Sequence, residues 1–592
     1  MRPARRLDPI DRVIALVLGV GYVLLLLSTV KDLGYARDEG FYFDAADAYG
    51  RWFSDLWRDA GAAMAGRDRP WSVNREHPAL IKSLFALCHL WLQKDAHLFA
   101  LEGTSYRFPA MVLAGAGLSL VYTWGARVRG RSAGIAAALL LGAMPRFFYQ
   151  SHLACFDIPI VTLWLACAYC WWRAVSGGGA AWVPLTGLAF GLALDTKHNS
   201  WFLPFALLTH AALLEARDRL PWRRPEAEAE QTAQRELLGT RRRRMLGALL
   251  AMATLGPLVF WALWPWLWSR FVFARLAEYA AFHLGHEYYN MEFFGRTYWE
   301  PPMPLGYAWV MTAATVPAIT LALAVSGMGL SLRAPLGRVR GWWRARASQI
   351  RNALPRARAT DDPGGATLLW AIGLGISYAA WLSPKTPIFG GTKHWMTAYP
   401  FLCLFAGLAF GELVRRARVL LARWWPRIAP RASAMRRLAR GPLPEMALAA
   451  AVMAAPITET VRSHPWGLSS YTPLVGGAAG AATLGLNRTF WGYTTGAVVE
   501  WLNREAPRGA KVYVHDTSWP AWQMLREEGR LRRDIEGAGS LQGADLALYH
   551  HEQHMAGQEY QAWVAFGTTQ PAHVAGLDGV PVIWIYRPAA AR

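Results

Sequence analysis

Five separated stretches of this sequence hold acids and bases in a pattern suited to transferring a group away from an anion. The first is Arg37-Asp38-Glu39-Gly40, which follows an apolar run over residues 13–30. The second is Arg75-Glu76-His77-Pro78 with Lys82, and the third runs from Ser151-His152 to Asp157-Ile158-Pro159. The fourth is Asp195-Thr196-Lys197-His198, and the fifth is Pro384-Lys385-Thr386 with Gly391-Thr392-Lys393-His394. A carboxylate can take the proton of an incoming hydroxyl or amine. Lysine and arginine can hold a phosphate and stabilise the charge that grows on it as it leaves. Asp38 is the candidate general base, Glu39 its catalytic partner or positioning residue, and Asp157 a second acid able to orient an acceptor or a cation. Arg75, His77, Lys82, Lys197, His198, Lys393 and His394 are candidate contacts to a donor phosphate or substrate. Each has a plainer reading alone: Asp38 as a helix cap, Lys82 as a side chain reaching to lipid headgroups, Lys197-His198 as a polar turn. Their meeting on one side of a membrane favours a shared site.

The elements that would bring them there are apolar. Of 592 residues, 54% are hydrophobic and 17% charged. Apolar runs of membrane-spanning character recur at 13–30, 107–125, 133–150, 156–172, 181–195, 199–215, 245–267, 306–331, 366–383, 395–413 and 443–461, which predicts about eleven transmembrane helices. The net charge of +21 lies largely in arginine clusters between these runs, near 127–131, 217–224, 241–244, 333–358 and 415–440. That distribution excludes a nucleic-acid binder and marks cytoplasmic loops. Alternating the spans from a cytoplasmic N-terminus puts every cluster inside and all five reactive stretches outside.

Residues 1–461 then form a transmembrane catalytic domain, with 31–106 as a first extracytoplasmic loop. Within that loop, 38–64 reads as an amphipathic helix lying along the membrane surface and 78–92 as a helix in the outer interface. Residues 462–592 form a C-terminal extracytoplasmic α/β domain. In it 499–503 is a predicted helix, and 511–515, 544–549 and 580–586 are predicted strands. Cys167 and Cys170 form a CxxC inside an apolar run, which reads as buried apolar thiols. His283-Leu284-Gly285-His286 and His550-His551-Glu552-Gln553-His554 lack the spacing of a metal site. The aromatics between Tyr288 and Trp299 suit an interfacial belt or a wall for a polyprenyl chain or sugar. The sequence requires no cofactor and no metal; Asp38 and Glu39 could in principle ligate a hard divalent cation.

In order and spacing, several pieces together resemble the GT-C fold polyprenyl-phosphate-dependent glycosyltransferases. The resemblance is to the bacterial branch of the protein mannosyltransferase and lipid A aminoarabinose transferase superfamily. The pieces are Asp38-Glu39, His77-Pro78 with Lys82, Arg107-Phe108-Pro109, Asp157-Ile158-Pro159, Thr196-Lys197, and Lys393-His394 before Tyr399-Pro400. The resemblance implies a GT-C-like membrane fold and Asp38 as catalytic base. It implies inverting transfer of a sugar from a polyprenyl-phosphate donor, with Lys82 near the donor phosphate. It also implies a periplasmic acceptor (lipid A, another envelope glycan or protein) and residence in a bacterial inner membrane. Relatives often carry two prolines where this chain has Pro78-Ala79. The competing reading, a transporter or flippase of lipid-linked saccharides, would place its charges near the bilayer midplane on broken helices.

Overall fold

The first helix, Pro9–Thr29, is closed at its N-terminal end by a capping box in which the Asp8 and Asp11 carboxylates each accept from the other's backbone amide. Asp11 is also bound by Arg131 at 2.8 Å and by the Tyr122 hydroxyl at 2.9 Å. The helix runs against Glu102–Arg129, where Gly19 and Gly115 face each other. A Cβ at Gly19 would stand 2.9 Å from the Gly115 carbonyl, so the two backbones approach as small residues permit in membrane helices. The computed structural model describes residues 5–219, 228–347, 365–428, 441–490 and 492–589. Parts of the arginine-rich loops at 220–227, 348–364 and 429–440, and Trp491, lie outside the described residues.

The fold is the expected one, a helical membrane part followed by a small α/β domain. Each apolar run coincides with a helix, but the lengths differ from eleven clean spans. Among the described residues, five helices are long and apolar enough to cross a membrane singly: Pro9–Asp32, Glu102–Arg129, Asp157–Val175, Arg235–Leu263 and Met396–Leu421. A sixth is a pair, Tyr307–Thr315 and Ala318–Arg333, bent by 117°. Arg131–Gly142, Trp182–Leu194 and Ala366–Leu382 are shorter. At a rise of about 1.5 Å per residue, the first two fall well short of a hydrocarbon core of about 30 Å.

The reason lies at their outer ends. The run 133–150 breaks after Gly142, and the short helix Pro145–Gln150 leads into turns through Phe156. Trp182–Leu194 gives way to Asp195-Thr196-Lys197 and a 3-10 turn over His198–Phe202. Ala366–Ala379 gives way to irregular chain up to Tyr399. Non-helical backbone is tolerated at membrane depth only where protein or a water-filled cavity surrounds it. These three turns carry Asp157, Lys197, His198, Lys393 and His394.

The loop between the first two long helices packs over them. The expected helix over 38–64 forms as Arg37–Arg58 and Ala60–Ala65, with Asp59 capping the second piece. Its inner face (Tyr42, Ala45, Ala46, Tyr49, Trp52) is buried against Leu80–Cys88, Glu102–Arg129 and Trp71. The interface helix forms as Leu80–Cys88 and continues as a wider π turn to Asp95.

The C-terminal domain holds a mixed five-stranded sheet. Its strands are β3 (Lys511–Tyr513), β4 (Glu536–Ala538), β5 (Leu546–His550), β6 (His573–Leu577) and β7 (Val580–Tyr586), in the order β4-β3-β5-β7-β6. A separate two-stranded hairpin, β1 (Met291–Phe293) and β2 (Arg296–Tyr298), belongs to the loop before the bent pair. Alternation assigns the faces of β5 and β7. Leu546, Leu548, Ile583 and Ile585 pack with Trp522 and Leu525, while Ala547, Tyr549 and Tyr586 pack with Met555 and Phe566. The three predicted strands and the helix over 499–503 are present; β4, β6 and the helices Trp519–Glu527 and Ala556–Phe566 complete the layers. Residues between Ser463 and Val499 pack on both parts, through contacts such as Tyr149 with Tyr493.

One ion pair ties the outer loops together. Glu39 accepts from Arg107 Nε and Nη2, both at 2.7 Å, and both side chains are buried. Its two oxygens also take the backbone amides of Ala36 (2.9 Å) and Ala154 (3.0 Å). Arg107 Nη2 in turn donates to the Gly34 carbonyl at 2.6 Å, and the guanidinium lies over Tyr35. Removing one partner leaves an uncompensated buried charge. Glu39→Ala and Arg107→Ala are each expected to cost roughly 3–5 kcal/mol, with the double variant losing much less than the sum. Thermal unfolding of the four purified proteins measures this.

Candidate active site

Adjacent residues on a helix point about 100° apart, and this separates Asp38 from Glu39. Glu39 turns inward to Arg107. Asp38 turns into a cavity of about 470 Å³ enclosed by the first loop, the loop 282–290, the turn 389–393 and the C-terminal domain. The two carboxylates expected as a catalytic pair therefore hold different posts. Only Asp38 lines the cavity, and Glu39 has its oxygens committed to Arg107 and two amides.

Lys393 lines the cavity beside Asp38, with Nζ 3.3 Å from Oδ2. Burial pulls the Lys393 ammonium down, but Asp38 and Asp157 more than offset this and hold its pKa above the ordinary lysine value. Asp157 itself is bound by Lys197 at 2.6 Å, both side chains nearly buried. Asp38, Lys393, Asp157 and Lys197 thus form a row of alternating charge, drawn from four loops far apart in sequence. Asp157 and Lys197 stand behind the cavity wall; Asp157 supports the Lys393 ammonium electrostatically, and Lys197 pairs with Asp157. Arg37, next to Asp38, brings a second cation to the lining.

His77 also lines the cavity. Its ring lies 4.8 Å from Phe156 and 5.9 Å from Tyr42, and its Nδ1 has no partner among the described residues. Burial, helped by nearby Lys82, pushes its pKa well below the usual value, so it is neutral near pH 7. The remaining sequence candidates lie outside the lining. Arg75 points away to Glu278 at 2.8 Å, with both groups half exposed. Lys82 is buried, and its ammonium donates to the carbonyls of Asn74 and His77 (2.8 Å to the latter). It shapes the loop that presents His77, where the sequence reading expected a phosphate contact. Burial brings the Lys82 pKa down to about 7 despite Glu76 and Asp195. His198 stacks on His283 at 4.2 Å. His394 bonds the backbone of Phe389 through Nε2, and its carbonyl accepts from Asn199.

Several lining residues lie beyond the predicted charged contacts, Tyr289 among the aromatics expected as a belt or wall. His286, stacked on Phe389 at 4.6 Å, and Tyr289 come from the aromatic loop. Asn487, Phe490, Thr517, Glu552 and His554 come from the C-terminal part. The signal for the last two was visible in the cluster His550 to His554, which lacked metal spacing. His550 instead bonds Ser518 and Thr495 inside the domain. Among the described residues no three His, Cys, Asp or Glu side chains come together as a metal-ligand set. Another unforeseen residue is Arg146, 2% exposed, lying over the rings of Tyr471 and Phe490. An arginine inside the apolar run 133–150 was its only mark in the sequence.

Residues 86–228 match the family model described as dolichyl-phosphate-mannose-protein mannosyltransferase. The chain resembles this family of glycosyltransferases. The matched segment contains Arg107, Asp157, Lys197 and His198. Among solved structures, ArnT from Cupriavidus metallidurans bound to undecaprenyl phosphate is similar at 16% identity and a TM-score of 0.47, covering 96% of this chain and 97% of that one. The Archaeoglobus fulgidus oligosaccharyltransferase is similar at 12% identity and a TM-score of 0.44, over 95% of this chain and 71% of that one. The S. cerevisiae protein O-mannosyltransferase Pmt1-Pmt2 complex bound to the sugar donor is similar at 16% identity and 0.31, over 44% and 34%. All are likenesses at low identity and low TM-score. No curated protein matches the chain.

The cluster at the C-terminal wall generates a pH test. Burial pushes the Glu552 carboxyl up to about 7, with Glu292 adding to the rise and His554 opposing it. An acid whose folded pKa is raised binds a proton that the unfolded chain has released. Its stabilising contribution is complete below about 4.5 and is lost as pH rises through about 7. The unfolding temperature of the detergent-purified protein is expected to fall between pH 5 and 8, and Glu552→Gln should flatten that part of the slope. An unchanged slope in the variant would remove Glu552 as its source.

Proposed function

We propose that this protein is a membrane glycosyltransferase that moves a sugar from a polyprenyl-phosphate donor to an acceptor outside the cytoplasm, with inversion and with Asp38 as general base. The observation that carries the reading is Asp38 beside Lys393 on one cavity wall, 3.3 Å apart. That pairing supplies a base and an anion holder within one reaction volume. The acceptor hydroxyl or amine gives its proton to an Asp38 oxygen as its O or N bonds to the sugar C1. The C1–O bond to phosphate breaks on the opposite face, and the electron pair leaves on the phosphate. Lys393 and Arg37 stabilise that growing charge. A donor phosphate competes with Asp38 for Lys393, so donor binding itself would release the base from its ion pair. His77, being neutral, can hydrogen-bond sugar or phosphate without adding charge.

The membrane placement belongs to the same reading. Basic side chains meet acids at the ends of helices opposite the cavity: Arg131 with Asp11, Arg242 with Glu215, Arg418 with Glu445. This supports a cytoplasmic face there, and with it a periplasmic cavity in a bacterial inner membrane. The acceptor would be lipid A, another envelope glycan or a protein.

Asp38→Asn is expected to lower transfer by about 10²–10⁴-fold while keeping the thermal stabilisation that polyprenyl phosphate confers. Lys393→Met should weaken that stabilisation. Both are measured on purified protein, with transfer followed by mass analysis of envelope lipids and proteins from cells expressing each variant. Full modification by Asp38→Asn would overturn the base assignment, and the absence of any polyprenyl-phosphate effect on the wild type would overturn the donor class.

A further inference from the structure

Two chemically different sets of groups line the cavity. Arg37 and Lys393 make one of them cationic. The other is carried by the C-terminal part and the loop before β1: Asn487, Thr517, Glu552, His554 and Asn290. Its charged groups already neutralise one another. His554 Nδ1 lies 3.3 Å from Glu292 and 3.7 Å from Glu552, the His554 amide donates to Glu292 at 3.1 Å, and Asn290 Nδ2 reaches both Glu552 and His554. An independent feature points to a ligand. Asn487 is 6% exposed and lines the cavity, and its side-chain oxygen has no partner among the described residues. A buried polar atom left unpaired costs about 1–3 kcal/mol.

We infer that this C-terminal wall is a subsite for a sugar ring of the acceptor, held by mixed hydrogen-bond donors and acceptors. The wall offers an amide oxygen, amide N–H groups, a hydroxyl and a carboxyl. A hydroxyl-rich ring can both donate to and accept from such a set, whereas a phosphate can only accept and an ammonium can only donate. His554 is already engaged by Glu292 and Glu552, so an anion finds its partners in Arg37 and Lys393. Phe490 and Tyr289 supply apolar ring surface at the edge of the same volume, and 470 Å³ lies within the usual range of ligand pockets. The assignment to the acceptor, as opposed to the donor's own sugar, rests on the proposed transfer reaction. It follows from Arg37 and Lys393 being claimed by the donor phosphate.

The test uses the full chain in lipid nanodiscs carrying Thr517→Cys, labelled by a bulky water-soluble maleimide; the unsubstituted chain gives the background. The probes are a panel of methyl glycosides, inorganic phosphate, polyprenyl phosphate, and polyprenyl-phosphate sugars extracted from membranes. At least one methyl glycoside is expected to slow labelling several-fold, and to do so still with polyprenyl phosphate or the extracted donor bound. Adding Asn487→Ala and Glu552→Gln should abolish the protection. Absence of protection by every glycoside overturns the subsite, as does equal protection by inorganic phosphate. Protection by the extracted donor that excludes the glycoside assigns the wall to the donor sugar and overturns the acceptor assignment. Asn290→Cys, on the facing loop, repeats the measurement if Thr517→Cys fails to fold. Failure of the transferase reading is seen separately, as polyprenyl phosphate leaving wild-type stability unchanged while glycoside protection persists.

Discussion

The buried pair of Glu39 and Arg107 is the constraint on which the rest of the outer structure hangs. Four groups converge on one carboxylate: two guanidinium nitrogens and the amides of Ala36 and Ala154. Through it the end of the first span, the start of the loop helix, the span over 102–129 and the turn before Asp157 share a single anchor. Buried ions are costly unless fully paired and hydrogen-bonded, and this site meets that condition. A consequence reaches the chemistry. With Glu39 locked inward, the helical step turns its neighbour Asp38 into the cavity.

The second constraint is the shortness of three apolar helices. They stop early because their outer ends become polar turns, and those turns supply Asp157, Lys197 and Lys393. The loop helix, the loop 282–290, the turn 389–393 and the C-terminal domain line a cavity beside these turns. Charges in such a place interact more strongly than they would in bulk solvent. The row Asp38, Lys393, Asp157, Lys197 depends on this, since each member has an opposite charge beside it. Lys82 shows the contrasting case. More deeply buried, its ammonium is spent on the carbonyls of Asn74 and His77, and it serves to shape the loop.

The cavity is completed by the C-terminal domain. Its sheet packs helices on both faces, which makes it rigid enough to present Thr517, Glu552 and His554 from turns at fixed positions. The hairpin β1–β2 clasps it: Gln553 donates to the Gly295 carbonyl and His554 meets Glu292. The site thus combines the cations Arg37 and Lys393 with a polar set built across the junction of the two parts.

The sequence alone determined the helical membrane class, the approximate positions of its helices, the small α/β tail and the resemblance to polyprenyl-phosphate glycosyltransferases. Those properties are local. Apolar runs, turn residues and strand alternation are written in adjacent positions, and Asp38, His77 and Lys393 stood out by type and by loop. Only the tertiary structure decided between neighbours of like chemistry. Glu39 is a strut because Arg107, 68 positions away, claims it. Lys82 is structural because Asn74 and His77 fold over it, while Lys393, 355 positions from Asp38, is its partner at the cavity. Arg146 and Asn487 carried almost no sequence signal, because what distinguishes them is burial and unpaired polarity, which exist only once distant segments have packed.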